Sequence, residues 1–167
     1  MALSPKAKKT LVGWGAALAT AIVGGLEARE GMKLTTYWDS LGRVWTVCEG
    51  VTGPDAIPGK TYTKAECKAI EMRFVNLQLA RMGKCVTVPV TYDQARAWGD
   101  FAWNVGTSNF CASTAVKLIN AGKDDEACAQ ISRWKWVGTH DCSLMNHVCD
   151  GVWVRRVWER AICEGDA

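Results

Sequence analysis

Acidic residues are missing from the start of this 167-residue chain: none precedes Glu27, while Lys6, Lys8 and Lys9 fall in the first ten positions. Three of the 20 basic residues are used there, so the remaining 17 stand against 17 acidic ones and the body is neutral. A neutral body with a small basic tip argues against nucleic acid as a partner. Only two histidines occur, His140 and His147, and there is no pair of cysteines spaced by two residues, so the usual zinc-finger spacings are missing. Proline is scarce at four residues and glycine stands at 16, which excludes a collagen-like or proline-rich chain. Mean hydropathy is -0.05, which excludes a protein of many membrane spans. No internal repeat or low-complexity segment is visible.

The chain has 49% hydrophobic and 22% charged residues, the composition of a folded globule rather than a disordered segment. Its length suits one domain with a sizeable core. The uncharged run from Thr10 to Leu26 is 17 residues long, at the lower edge of what crosses a bilayer. The lysines ahead of it supply a positive flank, which predicts an N-terminus inside and a body exported. The run is rich in Gly and Ala and holds three Leu and one Ile, so it buries little apolar area and inserts weakly. Four readings stay open: a signal peptide cleaved after Ala17-Leu18-Ala19, a permanent anchor, a transient anchor, and an ordinary buried helix.

Eight cysteines, Cys48, Cys67, Cys85, Cys111, Cys128, Cys142, Cys149 and Cys163, all lie after that run. An even, high count in a short exported chain reads as disulfides. The sequence does not choose among the 105 full pairings. We expect 48–67, because Cys48 follows a predicted hairpin and Cys67 opens the next helix. We expect 142–149 because it closes a short loop, and 85–111 and 128–163 complete the scheme. His140, Cys142, His147 and Cys149 form the competing metal cluster; a bridge is favoured there, and no metal is expected.

Helical punctuation is clear beyond residue 60. Thr63 and Glu66 make a capping box ahead of Cys67, Ile70, Phe74, Leu77 and Met82, with Gly83 as the expected stop. Thr91 and Gln94 repeat the box ahead of Ala95, Trp98, Phe101 and Ala102. Further helices are expected from Ser113 or Thr114 to near Gly122, from Asp124 towards Gly138, and from about Gly151 to Cys163 with Val154, Trp158 and Ile162 inward. Two β-prone runs, Thr35 to Trp38 and Arg43 to Val47, flank the turn at Asp39 to Gly42 and predict a hairpin. The fold class is α+β: mostly helical, with one small antiparallel sheet near the N-terminus, preceded by a weakly hydrophobic helix.

Glu30 stands just before the hairpin and Asp39 in its turn. Glycoside hydrolysis needs two such carboxyls, one protonated to donate to the leaving oxygen and one ionised to direct water or offset positive charge. Glu30, Gly31, Leu34, Tyr37, Asp39, Gly42 and Thr46 resemble the signature of the phage-type lysozymes, family 24 of the glycoside hydrolases. Val44 to Cys48, Gly59 to Cys67, Asn104 to Gly106, Phe110, Ser113 with Thr114, and Arg155, Arg156, Glu159 and Cys163 extend the likeness, in order, across essentially the whole chain. The subgroup most similar is the signal-anchor-release endolysins of lambdoid phages. The resemblance implies a lysozyme-like fold and hydrolysis of the MurNAc–GlcNAc bond of peptidoglycan with inversion, without a cofactor. It makes Glu30 the general acid, Asp39 the group that orients or activates water, and Thr46 the holder of that water. Asn104, Tyr37 and Trp45 are the candidate substrate contacts, with loop architecture ahead of Gly106 as the alternative role of Asn104. A lytic transglycosylase on the same glycan is one alternative; a disulfide-rich, membrane-tethered binding or permeabilising protein is another.

Two departures from the family pattern stand out. Six residues separate Asp39 from Thr46 where the family has five, and Arg43 looks inserted; a one-residue slip reverses side-chain direction unless a bulge absorbs it. Where relatives often carry His after the Thr, this chain has Glu49 and Val51; Glu49 reads as a surface residue, with a second cleft carboxylate as the alternative. Of the tryptophans, Trp98, Trp134 and Trp158 fall at core spacing, whereas Trp38 and Trp45 are the better sugar-facing candidates.

The resemblance divides the chain into a signal-anchor-release segment, 1–26, and a catalytic domain, 27–167. Glu27, Ala28 and Arg29 alone separate the apolar run from Glu30, and three extended residues reach roughly 10 Å. While residues 10–26 span the inner membrane, Glu30 must lie at its surface, so the anchored enzyme is expected to be inactive and the released one periplasmic. Host export machinery is the implied partner besides the glycan strands. Inactivation by a disulfide to a catalytic cysteine is not open to this chain, because position 39 is Asp and the anchor holds no Cys. A monomer is expected.

Overall fold

Residues 7–40 and 42–165 are described in the computed structural model, with the side chains of residues 27–30 outside that description. In chain order the elements are β1 (Lys8–Lys9), α1 (Gly15–Glu30), β2 (Lys33–Asp39), β3 (Val44–Cys48), β4 (Val51–Thr52), α2 (Lys64–Cys85), β5 (Val90–Thr91), α3 (Tyr92–Val105), α4 (Thr107–Ala112), α5 (Thr114–Asn120), α6 (Asp124–Gln130), β6 (Trp136–Val137), β7 (His140–Asp141) and α7 (Asp150–Glu164). The architecture is mostly helical with small antiparallel sheets. Chain contacts divide it into two units, Ala19–Leu77 and Met1–Leu18 with Gln78–Ala167.

In the unit Ala19–Leu77, Ala19, Ile22, Val23 and Leu26 make a buried stripe along α1 at helical spacing. Gly31, with φ of +66°, takes the left-handed conformation after Glu30, as a helix C-terminus favours. The chain then enters a sheet of order β2-β3-β4. Lys60 to Tyr62 covers the free side of β2: the Thr36 amide donates to the Lys60 carbonyl at 3.0 Å and the Tyr62 amide to the Leu34 carbonyl at 2.8 Å. The capping box that opens α2 is formed, with the Thr63 amide donating to Glu66 Oε2 at 2.7 Å and the Glu66 amide to Thr63 Oγ1 at 3.1 Å.

In the other unit, β1 pairs with β5 through Lys8 opposite Thr91 and Lys9 opposite Val90. Leu11, Trp14 and Leu18 are buried there. The Trp14 indole donates to the Val90 carbonyl at 3.3 Å and meets Tyr92 edge-on at 5.4 Å. Thr91 and Gln94 complete the second capping box. Trp98, Phe101 and Phe110 form the aromatic core, with α3 packed along α7 and α5 against α6.

Several expectations are corrected. α2 runs through Gly83 to Cys85: a Cβ at Gly83 would lie 3.3 Å from Val12 Cγ1, so this glycine serves a close approach rather than a stop. α6 ends at Gln130, and the stretch towards Gly138 is a hairpin, β6–β7, with Gly138 at φ of +58° in its turn. Along α7, Val154 is exposed, and the inward face carries Arg155, Arg156, Glu159 and Ile162.

Four disulfides are present, Cys48–Cys67, Cys85–Cys111, Cys128–Cys163 and Cys142–Cys149, the same four pairs set out from the sequence. The sulfurs of the competing metal cluster are thus bonded to each other, and His147 is exposed beside Asp150.

Candidate active site

The candidate residues Tyr37, Asp39, Trp45 and Thr46 all fall on the β2–β3 hairpin. Tyr37 pairs with Thr46, Trp38 with Trp45 and Asp39 with Val44. Directly paired residues project to the same face of an antiparallel sheet, and successive residues alternate. Tyr37, Asp39, Val44 and Thr46 therefore share one face. The residue Arg43, extra against the family spacing, is taken up in the turn, where it adopts φ of +52°. The register beyond the turn is preserved, and Thr46 stays on the side of Asp39. A shift between Lys33 and Tyr37 lies on the other strand.

Asp39 and Tyr37 are half-buried and Thr46 is buried. Thr46 Oγ1 donates to the Val44 carbonyl at 3.3 Å, which spends its proton and keeps the oxygen as an acceptor. Gly42 lies against the carboxylate of Asp39. Glu30 is the last residue of α1, three positions ahead of β2; its side chain lies outside the described residues.

Trp45, paired edge-on with Trp38 at 5.6 Å, is exposed on the face opposite Asp39. The two line a groove of about 380 Å³ with Pro54, Ile57 and Pro58. The hairpin thus does not bring Trp45 together with the carboxylate.

Glu49, expected at the surface, is buried at 1% exposure. Cys48 takes φ of +56° and is tied to Cys67, which turns position 49 inward, and the Glu49 amide donates to Oε1 of the buried Glu71 at 3.2 Å. The sequence carries no signal for this, because one glutamate in a turn looks like any solvated glutamate.

In the other unit, Asn104 sits near the end of α3, and its Oδ1 accepts from Arg156 Nη2 at 2.6 Å. Arg156 is fully buried, 3.1 Å from Glu159 Oε2 and 4.7 Å from the Phe101 ring centroid. Burial pushes the Glu159 carboxyl well above the ordinary value; Arg156 opposes this, and Asp100 adds to it by its charge and a hydrogen bond. Burial likewise lowers Arg156, against the pull of Glu159.

A family model for phage lysozyme matches residues 27–159. The chain belongs to the phage lysozyme family. A SAR-endolysin of Bacteriophage PS119 is 34% identical over 170 residues, covering 98% of this chain and 97% of the relative. One of Enterobacteria phage P21 is 36% identical over 162 residues, covering 95% and 93%. The fold of this phage lysozyme is also that of an endolysin from Escherichia coli O157:H7 phage FAHEc1, with a TM-score of 0.73 at 22% identity over 90% of this chain and 94% of that one. This phage lysozyme is a glycoside hydrolase, an endolysin of the muramidase kind whose substrate is peptidoglycan.

Proposed function

We propose that Glu30 protonates the leaving oxygen of the MurNAc–GlcNAc bond, while Asp39 directs a water molecule held by Thr46 to the opposite face of the sugar. The observation that carries this reading is the hairpin register, in which Asp39 pairs with Val44 and Thr46 with Tyr37, so that carboxylate and hydroxyl share a face. Water between Asp39 and the sugar gives inversion and calls for carboxyls about 6.5–9.5 Å apart. Tyr37 shares that face and is the substrate contact beside the pair.

The test is Glu30→Gln and Asp39→Asn on purified peptidoglycan, with the anomer of the first product read by NMR. Glu30→Gln abolishes release of reducing ends, and the parent gives the inverted anomer. A Glu30→Gln variant as active as the parent refutes the assignment, and a 1,6-anhydro product refutes hydrolysis in favour of transglycosylation.

The same reading extends to location. Residues 1–26 act as the signal-anchor-release segment and 27–167 as the catalytic domain. The host export machinery delivers the chain, residues 10–26 hold it transiently in the inner membrane, and release sets it free in the periplasm. Among the described residues no helix is long and apolar enough to cross a membrane, and Leu18, Ile22 and Leu26 are each at most 1% exposed. Side chains buried in protein do not face lipid at the same time, so the anchored form must be a different conformation, and we assign it no activity. Fractionation decides: full specific activity in the membrane-bound fraction refutes this.

A further inference from the structure

Trp38 and Trp45 are large apolar side chains left open to water, which is unfavourable while nothing covers them. Trp38 is 51% exposed, and Ile57, which lines the same groove, 49%. The two indoles meet edge-on, 5.6 Å apart with 73° between their planes, a contact that leaves more ring surface open than stacking does. They project from the face of the β2–β3 hairpin opposite to Asp39 and Thr46, so the proposed mechanism makes no use of them.

The groove of about 380 Å³ lies within the roughly 300–1,000 Å³ of small-ligand sites, and its walls are apolar with one charged group. All of its lining belongs to the unit Ala19–Leu77. The wall of Pro54, Ile57 and Pro58 is fixed in advance: the Ala56 amide donates to the Gly53 carbonyl at 3.0 Å, the Ile57 amide to the Tyr62 hydroxyl at 3.3 Å, and that buried hydroxyl to the Asp55 carbonyl. A rigid wall spares a ligand the cost of ordering it. Among the described residues of the lining, Arg43 alone is charged, and the carboxylate of Asp55, next to Pro54, is taken up by Arg73 at 2.6 Å. Arg43 also holds φ of +52°, a conformation that glycine adopts freely and a residue with a Cβ only at a cost. A guanidinium kept at such a position, beside two open indoles, points to a use for its side chain.

We infer that this groove is a second, non-catalytic binding site for the cell wall: it takes an N-acetylated sugar on the indole of Trp38 and a stem-peptide carboxylate of the same strand on Arg43. Aromatic rings suit the apolar face of a pyranose, and a lining of positive charge alone suits a strand that carries carboxylates. A lipid surface is met by side chains that protrude, whereas these line a recess. The inference rests on peptidoglycan being the substrate. It adds a contact that holds the enzyme on an insoluble polymer between cuts, by keeping its effective concentration at the wall high.

The experiment measures co-sedimentation of the Glu30→Gln protein with purified sacculi and with chitin, an uncharged N-acetylated glycan, alone and combined with Trp38→Ala, Trp38→Phe or Arg43→Gly. On sacculi, Trp38→Ala weakens binding about tenfold, Trp38→Phe, which keeps an aromatic face, stays within about threefold, and Arg43→Gly weakens it about fivefold at low salt and less at high salt. On chitin the Trp38→Ala loss persists and the Arg43→Gly loss vanishes. Unchanged binding of Trp38→Ala to sacculi overturns the site, and an Arg43→Gly loss of equal size on chitin overturns the carboxylate contact. Loss of binding to phosphatidylglycerol vesicles with sacculus binding intact overturns the proposal in favour of a lipid surface. Where Trp38→Ala fails to fold, Ile57→Asp, which sets a negative charge in the groove at an exposed position, carries the test with the same expected loss on sacculi. Reducing ends are assayed in the same tubes: none from the parent refutes the muramidase reading, and the comparison of bound protein stands apart from it.

Discussion

Gly42 is packed so closely on Asp39 that a Cβ at position 42 would lie 2.8 Å from Asp39 Oδ2 and 3.4 Å from its Cγ. The atom in the way is the end of a side chain, so Gly42→Ala is relieved by swinging the carboxylate aside rather than by moving the strand. Stability changes little, while the carboxylate proposed to direct water leaves its place. Displacements of about 1 Å at reacting groups cost on the order of 100-fold in rate. We expect Gly42→Ala to lower kcat by about 10- to 100-fold with its melting temperature within about 2 °C of the parent. A variant that keeps full kcat removes Asp39 from the mechanism, because its carboxylate has then moved at no cost.

Arg43 holds the turn register at φ of +52°, in the left-handed region. A residue with a Cβ spends about 1–2 kcal/mol there, which glycine does not. Glycine returns part of that gain through the freer unfolded chain, so Arg43→Gly is expected to stabilise by about 0.5–1 kcal/mol. Arg43→Val, β-branched and stiffer, destabilises. Urea unfolding of the three proteins checks the order Gly, Arg, Val; any other order means that the side chain of Arg43 supplies more than the turn conformation costs.

What was legible in the sequence had local causes. The two capping boxes, at Thr63 with Glu66 and at Thr91 with Gln94, are contacts within four residues and formed as read. The hairpin around the Asp39 turn was readable for the same reason. What stayed hidden depends on partners far along the chain. Gly83 breaks no helix because Val12 lies against it. The inward face of α7 is ionic because Asp100 and Asn104 of α3 meet Arg155 and Arg156, a pairing that hydrophobic periodicity does not register. Trp136 lies in a stretch whose apolar spacing continues that of α6, so the sequence pattern there is that of a helix although the chain forms a hairpin. Glu49 turns inward because Cys48 is bonded to a residue 19 positions away.

The disulfides differ in the length of chain they close, which orders their contributions. Cys128 and Cys163 are 35 positions apart and Cys142 and Cys149 only 7. Loop entropy gives about 4 kcal/mol for the first and about 2.5 kcal/mol for the second. Paired alanine substitution is therefore expected to cost more stability at 128 and 163 than at 142 and 149. The shorter bridge has the more local effect: its loss loosens the segment between β7 and α7. Unfolding curves on both double variants check this, and equal losses at the two bridges contradict the loop argument.

Glu159 sets a pH dependence of unusual sign for a carboxylate. Burial raises its folded-state pKa well above 4.5, the value the unfolded chain keeps, and the nearby Asp100 adds to the rise against the attraction of Arg156. Below about 4.5 both states hold the proton and the stability contributed by this group is fully present. As pH rises from there to the folded value, the unfolded chain releases a proton that the folded chain retains, so folding becomes less favourable step by step. Gln at this position carries no proton to lose. The stability of Glu159→Gln relative to the parent is accordingly expected to improve as pH is raised above about 4.5, measured as the midpoint of urea unfolding at each pH. A difference between the two proteins that stays flat across that range means that Glu159 is ionised throughout, balanced by Arg156 at 3.1 Å, and the buried pair is then a salt bridge at every pH at which the enzyme is folded.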